Sequence, residues 1–165
     1  MAGGAYALYE VGRNDGYAPD QPIPFSHLRH AGELQIACQY CHANTEQGRV
    51  ATVPSVNICM NCHNEKAGVG SGRPGVEYLK ERYARGEEIP WVRVHDLADF
   101  VYFSHRPHMA KGIKCEECHG KVETMAQVEQ VAPLTMGWCV DCHRKPDKEH
   151  PEKQQALTEC TTCHQ

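Results

Sequence analysis

The chain has 165 residues and a formal net charge of −4. Three Phe and two Trp are too few to fill a conventional interior, while fourteen Gly and ten Pro favour turns and coil. The acidic balance argues against nucleic acid as a partner and suits encounter with a basic surface.

Residues 1–9 carry no basic start and no long apolar run, so they do not read as a signal peptide. No stretch reaches the roughly 20 apolar residues of a membrane span. Tyr6, Tyr9 and Tyr17 suit an interfacial belt. Residues 1–9 are therefore expected to be the outer end of a membrane helix, unless the start has been trimmed. Residues 1–24 as a whole, with Gly12, Gly16, Pro19, Pro22 and Pro24, are predicted to be an extended lead-in.

Next comes Phe25-Ser26-His27-Leu28-Arg29-His30, and eight residues further on stands Cys38-Gln39-Tyr40-Cys41-His42. The second pattern returns four times, as Cys59–His63, Cys115–His119, Cys139–His143 and Cys160–His164, and the five copies use all ten cysteines. C-x-x-C-H is the attachment signature of c-type haem. Its two thiols form thioethers to the porphyrin, and the next residue offers its imidazole to the iron as proximal ligand. Zinc cages need four ligands per ion, which fits five sets of three poorly and leaves the repeated His unexplained. Redox-active C-x-x-C disulfides belong to thioredoxin-like folds, whose βαβ pattern is absent here. The sequence thus implies five covalently bound haem c groups. Cys38, Cys41, Cys59, Cys62, Cys115, Cys118, Cys139, Cys142, Cys160 and Cys163 attach them, with His42, His63, His119, His143 and His164 as proximal ligands.

Shared evenly, each haem has about 33 residues of chain, far less than an ordinary domain. The haems must then be the hydrophobic core. The expected fold class is a multihaem cytochrome c, coil-rich with short α-helices, little or no β-sheet and a haem-packed core. No stable fold is expected without the cofactor. Covalent haem attachment takes place outside the cytoplasm, so export to the periplasmic side is expected.

At Phe103-Ser104-His105-Arg106-Pro107-His108 the earlier phrase recurs, followed by Cys115. Pro54-Ser55-Val56-Asn57-Ile58 before Cys59 likewise matches Pro133-Leu134-Thr135-Met136-Gly137-Trp138 before Cys139. The pattern is a duplicated unit: a pentahaem domain at 25–165, made of a two-haem repeat at 25–66, a linker at 67–102, a second two-haem repeat at 103–146 and a fifth haem at 147–165. In the linker, Gly68 to Gly75 looks like a phosphate loop only superficially, since no strand precedes it; it is a connector. Val76, Leu79 and Tyr83 lie at helical spacing with Gly86 as a stop, predicting an amphipathic surface helix. Ile89 to Phe103 is the most apolar segment, and Trp91 and Phe100 are expected to cover a haem face.

Six histidines lie outside the motifs. His27, His105 and His150 stand 11, 10 and 10 residues before Cys38, Cys115 and Cys160, and this spacing assigns them as distal ligands of haems 1, 3 and 5. His30 and His108 follow three residues after their partners, on one face of a turn, and can reach a neighbouring haem. Haems 2 and 4 lack a local upstream His. Their candidates are His30, His108, His95 and Met136; Met ligation would raise the potential of that haem. With every iron closed at both axial positions, the chain reads as an electron carrier, not an enzyme on its own.

F-S-H-x-x-H before C-x-x-C-H resembles the class III multihaem cytochromes, c3 and c7. The fuller set, Pro22 to His27, Cys59 to His63, Val94-His95-Asp96-Leu97, Val101 to His105 and Met136 to Cys139, is similar to the pentahaem cytochrome c subunit of alternative complex III over about residues 20–164. The resemblance implies a redox subunit on the periplasmic side of a quinol-oxidising membrane complex, beside an iron–sulfur subunit and membrane subunits. Its acceptor would be a monohaem cytochrome c or a terminal oxidase. The family's N-terminal membrane helix has no match here. Two other readings of a five-haem chain stand beside this one: an extracellular haem filament and a soluble periplasmic shuttle of the c7 type.

Overall fold

The computed structural model describes residues 13–164; the expected membrane-helix end at residues 1–9, with Tyr6 and Tyr9, lies outside them. Among the described residues the chain runs through eight short helices. They are α1 (Leu28–Glu33, wound as a π-helix), α2 (Cys38–Cys41), α3 (Val56–His63), α4 (Pro74–Ala84), α5 (His105–Ala110), α6 (Glu116–His119), α7 (Met136–His143) and α8 (Cys160–Cys163). Single 3-10 turns follow at Val122–Thr124, Pro151–Lys153 and Ala156–Thr158. Among the described residues, pairing of strand type is seen only as an isolated bridge between Val101 and His164. None of the described helices is long and apolar enough to cross a membrane.

The helix of the linker, α4, has conventional ends. Pro74 occupies its first turn, where a missing N–H costs nothing. Glu77 accepts from the Gly72 N–H at 2.8 Å, placing a carboxylate at the positive end of the helix. At the other end Gly86 takes φ +67°, and the Gly86 and Glu87 N–H groups return to the carbonyls of Tyr83 and Arg82. Leu79 is the buried residue of this helix and packs with Val56 and Ile89, joined by Cys59, Met60, Tyr78 and Trp91. Tyr83, expected on the same face, is 48% exposed, because the cluster covers only one turn of α4. Trp91 packs in this cluster with its ring edge-on to Phe25, at 6.1 Å and 79°.

Val56, Leu79, Ile89, Val94 and Ala132 are the buried apolar residues among those described. They offer far too little surface to order a chain of this length. Much of the remaining order comes from side-chain amides that staple the linker. Gln21 exchanges two hydrogen bonds with the backbone of Val92, at 2.9 and 3.0 Å. The Asn14 amide donates to the Val94 carbonyl at 3.0 Å. Gln130 is fully buried: its Oε1 accepts from the Asp96 N–H at 2.9 Å, its Nε2 donates to the Ala132 carbonyl, and its backbone pairs with Gly16 and Tyr17. A buried amide with its groups satisfied in this way fixes one backbone arrangement.

Candidate functional site

Each C-x-x-C-H is built on one helical turn. α2 and α8 are little more than the motif, while α3 and α7 carry it on their last turns. The i, i+3 spacing puts both thiols on one side of the turn, with the imidazole leaving from its end. The starts of the two longer helices are closed from outside their backbone. The Val56 N–H donates to the Glu88 carboxylate at 3.0 Å, and the Trp138 N–H donates to Thr135 Oγ1 at 3.4 Å. All ten thiols are free of disulfides.

The imidazoles are oriented by backbone carbonyls. Among the motif histidines, His42 Nδ1 lies 2.7 Å from the Thr52 carbonyl, His63 Nδ1 2.7 Å from that of Val69, and His143 Nδ1 3.1 Å from that of Leu157. In the repeated phrases, His30 and His108 reach the Ser26 and Ser104 carbonyls, each at 2.8 Å, and His105 reaches the Arg49 carbonyl at 3.0 Å. A carbonyl can only accept, so the proton sits on Nδ1 and the Nε2 lone pair is left for a metal. Thr52 holds its carbonyl on His42 from φ +66°, a region a β-branched residue rarely adopts. Val69 stands between Gly68 and Gly70, at φ +62° and +71°, so the glycine run of the linker is the turn that aims a carbonyl at His63.

Three pairs of imidazoles face one another across a gap. Ring centroids are 6.2 Å apart for His30 and His63, 6.4 Å for His105 and His119, and 6.0 Å for His108 and His143. A metal–imidazole bond of about 2 Å, with the centroid about 1.2 Å behind the nitrogen, puts two trans rings on one ion about 6.4 Å apart. The centroid separations of the three pairs are those that one iron held between each pair would require. The ring planes are inclined by 59°, 6° and 26° respectively. The two copies of the Phe-Ser-His phrase are alike. Phe25 meets His27 edge-on at 4.9 Å and lies over His30 at 4.5 Å; Phe103 meets His105 edge-on at 4.8 Å and lies beside His108 at 4.7 Å.

Burial, followed by the neighbouring His42, His30 and His95, pushes His27 down to about 4. His119 is pushed down to about 4 by burial, then by His95, His105 and His42. Both rings are neutral at pH 7, the form that ligates iron. His27 Nδ1 is buried without a hydrogen-bond partner among the described residues, which suits a site completed by a group outside the polypeptide.

The remaining candidates are placed differently. Met136 is 66% exposed, and the ring facing His143 is that of His108. His95 Nε2 lies 3.0 Å from His119 Nδ1, with the rings 4.4 Å apart at 78°. His150 Nδ1 contacts Glu152 at 3.3 Å in a loop organised by Asp147. Phe100, at 65% exposure, lies over His164 at 5.6 Å. Among the described residues no three His, Cys, Asp or Glu side chains converge as a cage for a bare ion.

The thiols show which motifs are neighbours. Burial raises the Cys41 thiol, with Cys38 and Cys62 adding to it, and Cys59 is raised by burial and then by Cys41. Cys115 is raised by burial and then by Cys38. Cys118 is raised by burial, then by Cys142, and Cys139 by burial, then by Cys163. The motif at 59–63 thus adjoins that at 38–42, which adjoins that at 115–119, then 139–143, then 160–164.

Sequence reasoning had no means of finding the carbonyl acceptors of this site. Arg49 is the clearest case. Its carbonyl accepts from both the N–H and Nδ1 of His105, its Nε donates to the Phe103 carbonyl at 3.1 Å, and its guanidinium lies over the Tyr102 ring at 4.2 Å. It joins the first half of the chain to the second.

Comparison with known proteins agrees with this geometry. Residues 9–82 match the model of the class III cytochrome C family, and residues 101–165 match that of cytochrome c7 and related cytochrome c. The chain is also similar to the multiheme cytochrome c subunit of a menaquinone reductase from Nitratidesulfovibrio vulgaris. The two are 34% identical over 100 residues, which is 61% of this chain and 46% of the relative. The match thus spans less than half the length of that curated relative. The two family models cover different parts of the chain and agree with each other: the chain is similar to class III cytochromes in one part and to cytochrome c7 in the other, and its coil-rich, short-helix fold class is that of the multihaem cytochromes c.

Proposed function

We propose that the chain carries five covalent c-type haems and is the electron-transfer subunit of a quinol-oxidising membrane complex. It would stand on the periplasmic side and pass electrons to a monohaem cytochrome c or a terminal oxidase. The observation that carries the electron-transfer role is the set of three facing imidazole pairs. With His42 and His27 on haem 1 and His164 and His150 on haem 5, every iron would be closed to substrate. When bound, haem supplies one-electron redox chemistry at potentials tuned by its axial ligands and surroundings.

The polypeptide's part is to hold these sites close and oriented. His27 and His30 stand on one turn, so that turn fixes haems 1 and 2 relative to each other; His105 and His108 do the same for haems 3 and 4. Arg49 bridges the halves at haems 1 and 3. The thiol neighbourhoods support a conducting order of haem 2, 1, 3, 4 and 5, which departs from chain order. The menaquinone reductase relative supports a quinone-linked assembly. A menaquinone reductase sends electrons towards the quinone, but a row of closed haems would conduct both ways, and partner potentials would set the direction.

Purification from native membranes in mild detergent tests this reading. The expected result is co-purification with membrane subunits and an iron–sulfur subunit, with haem reduction on adding quinol. Recovery as a lone soluble protein, or as filaments in electron micrographs, would overturn it.

A further inference from the structure

His119 is oriented unlike the other motif histidines and the paired histidines of the two Phe-Ser-His phrases whose Nδ1 partners were described above. His30, His42, His63, His105, His108 and His143 all address backbone carbonyls. His119 Nδ1 instead faces a side chain, His95 Nε2, at 3.0 Å, with the two rings crossed at 78°. For His119 to keep Nε2 bare, its proton must sit on Nδ1 and be donated to the His95 Nε2 lone pair. His95 is then neutral, with its own proton on Nδ1. A ring that accepts at Nε2 in this way cannot also give Nε2 to an iron.

The segment bearing His95 is held in place by side-chain amides, one of them fully buried. Gln130, fully buried, accepts from the Asp96 N–H on one side of His95, and Asn14 donates to the Val94 carbonyl on the other. Arg93 Nε also donates to the carbonyl of His95 itself, at 3.0 Å. The buried side chain of Gln130 thus fixes the backbone that sets the approach of His95 to His119. A hydrogen-bond acceptor on a ligating imidazole raises its basicity and fixes its ring plane, which is how surrounding groups tune a bound metal.

Resting on the reading that His119 is an axial ligand, we infer that His95 is a positioning residue for it, held by Gln130. It sets the ring plane of His119, which lies within 6° of that of His105, and it lowers the potential of haem 3 alone.

The test uses the holoprotein, titrated with reductant and followed by visible spectroscopy. His95→Phe keeps the ring volume and removes the acceptor: one reduction step should move to higher potential and the others stay. His95→Gln restores an acceptor and should return that step towards its original position. Gln130→Leu should move the same step, in the same direction, by less. No moved step in His95→Phe overturns the inference. So does the appearance of an iron that binds carbon monoxide, which would make His95 an axial ligand. Nitrogen-15 NMR of the reduced, diamagnetic wild-type protein decides independently of any variant's folding. One iron-bound imidazole should show scalar coupling from its Nδ1 to the Nε2 of a histidine that is not iron-bound; absence of that coupling refutes the contact. If the same spectrum shows His119 Nε2 free of iron, the axial-ligand reading itself fails, whatever His95 does.

Discussion

Truncating His30 to Ala should open one iron and no other. The His30 ring faces His63 at 6.2 Å and is backed by Phe25 at 4.5 Å, so removing it leaves a ring-sized space beside a single site. No thioether is placed to fill that space: Met60 packs against the cluster of Val56, Leu79 and Ile89, and Met136 belongs to the other half of the chain, on the turn before Cys139. His27 stands on the same turn but is the ligand proposed for the neighbouring site. The haems stay attached, because the thioethers are untouched. With five motifs in the chain, one fifth of the haem should become high-spin and bind carbon monoxide when reduced. His108→Ala should do the same at the site of His143, and the double variant should reach two fifths. The assay is a carbon monoxide titration of the reduced protein, read against total haem, with the unaltered chain binding none. A His30→Ala protein that binds no carbon monoxide would show that another group closes that iron. Binding by two fifths in the single variant would show that His30 supports more than one site.

Other consequences are as specific. Gly120 follows His119 at φ +68°, ψ −169°, a region essentially open only to glycine, and an added Cβ would sit 2.8 Å from Val131 Cγ2. Gly120→Ala should cost about 2–4 kcal/mol and lower Tm by several degrees; an unchanged Tm would refute the geometry. Lys111 first, then the His150 N–H, hold the Asp147 carboxyl down at about 2, below its usual 3.8. Because the folded value is depressed, this contribution is complete above about pH 4 and is lost as pH falls through 2. Amide protection at Glu149 and His150 should fall across that window, and Lys111→Met should abolish the step. The imidazole planes at 59°, 6° and 26° should give low-spin ferric haems of distinct electron paramagnetic anisotropy. The His30–His63 site should be the most axial, and a spectrum of uniform rhombic signals would contradict those angles.

What could be read in the sequence was whatever a side chain's identity carries. Ten cysteines in five equal motifs announce their chemistry, and the spacing of His27, His105 and His150 singles them out. The lone periodic stretch, Val76 to Arg85, appears as α4, with Gly86 in the left-handed conformation its stop role requires. The choice among four candidates for haems 2 and 4 stayed open, because spacing cannot say which distant motif a second histidine meets. The fold brings the His30 and His108 rings opposite His63 and His143. The carbonyls of Thr52, Val69, Leu157 and Arg49 were invisible for a deeper reason: every residue has one, and only the backbone path decides where it points. Gln130 and His95 act across 34 and 24 residues of chain, a range at which sequence pattern carries no signal. Trp91, expected against a haem, also packs against the small apolar cluster and meets Phe25 edge-on, contacts that its spacing did not announce.

The intact mass of the native, denatured chain tests the central claim most directly. The account requires the 18.5 kDa polypeptide plus five haems, with no cysteine open to alkylation. A mass showing fewer haems, or any alkylated C-x-x-C pair, would contradict it.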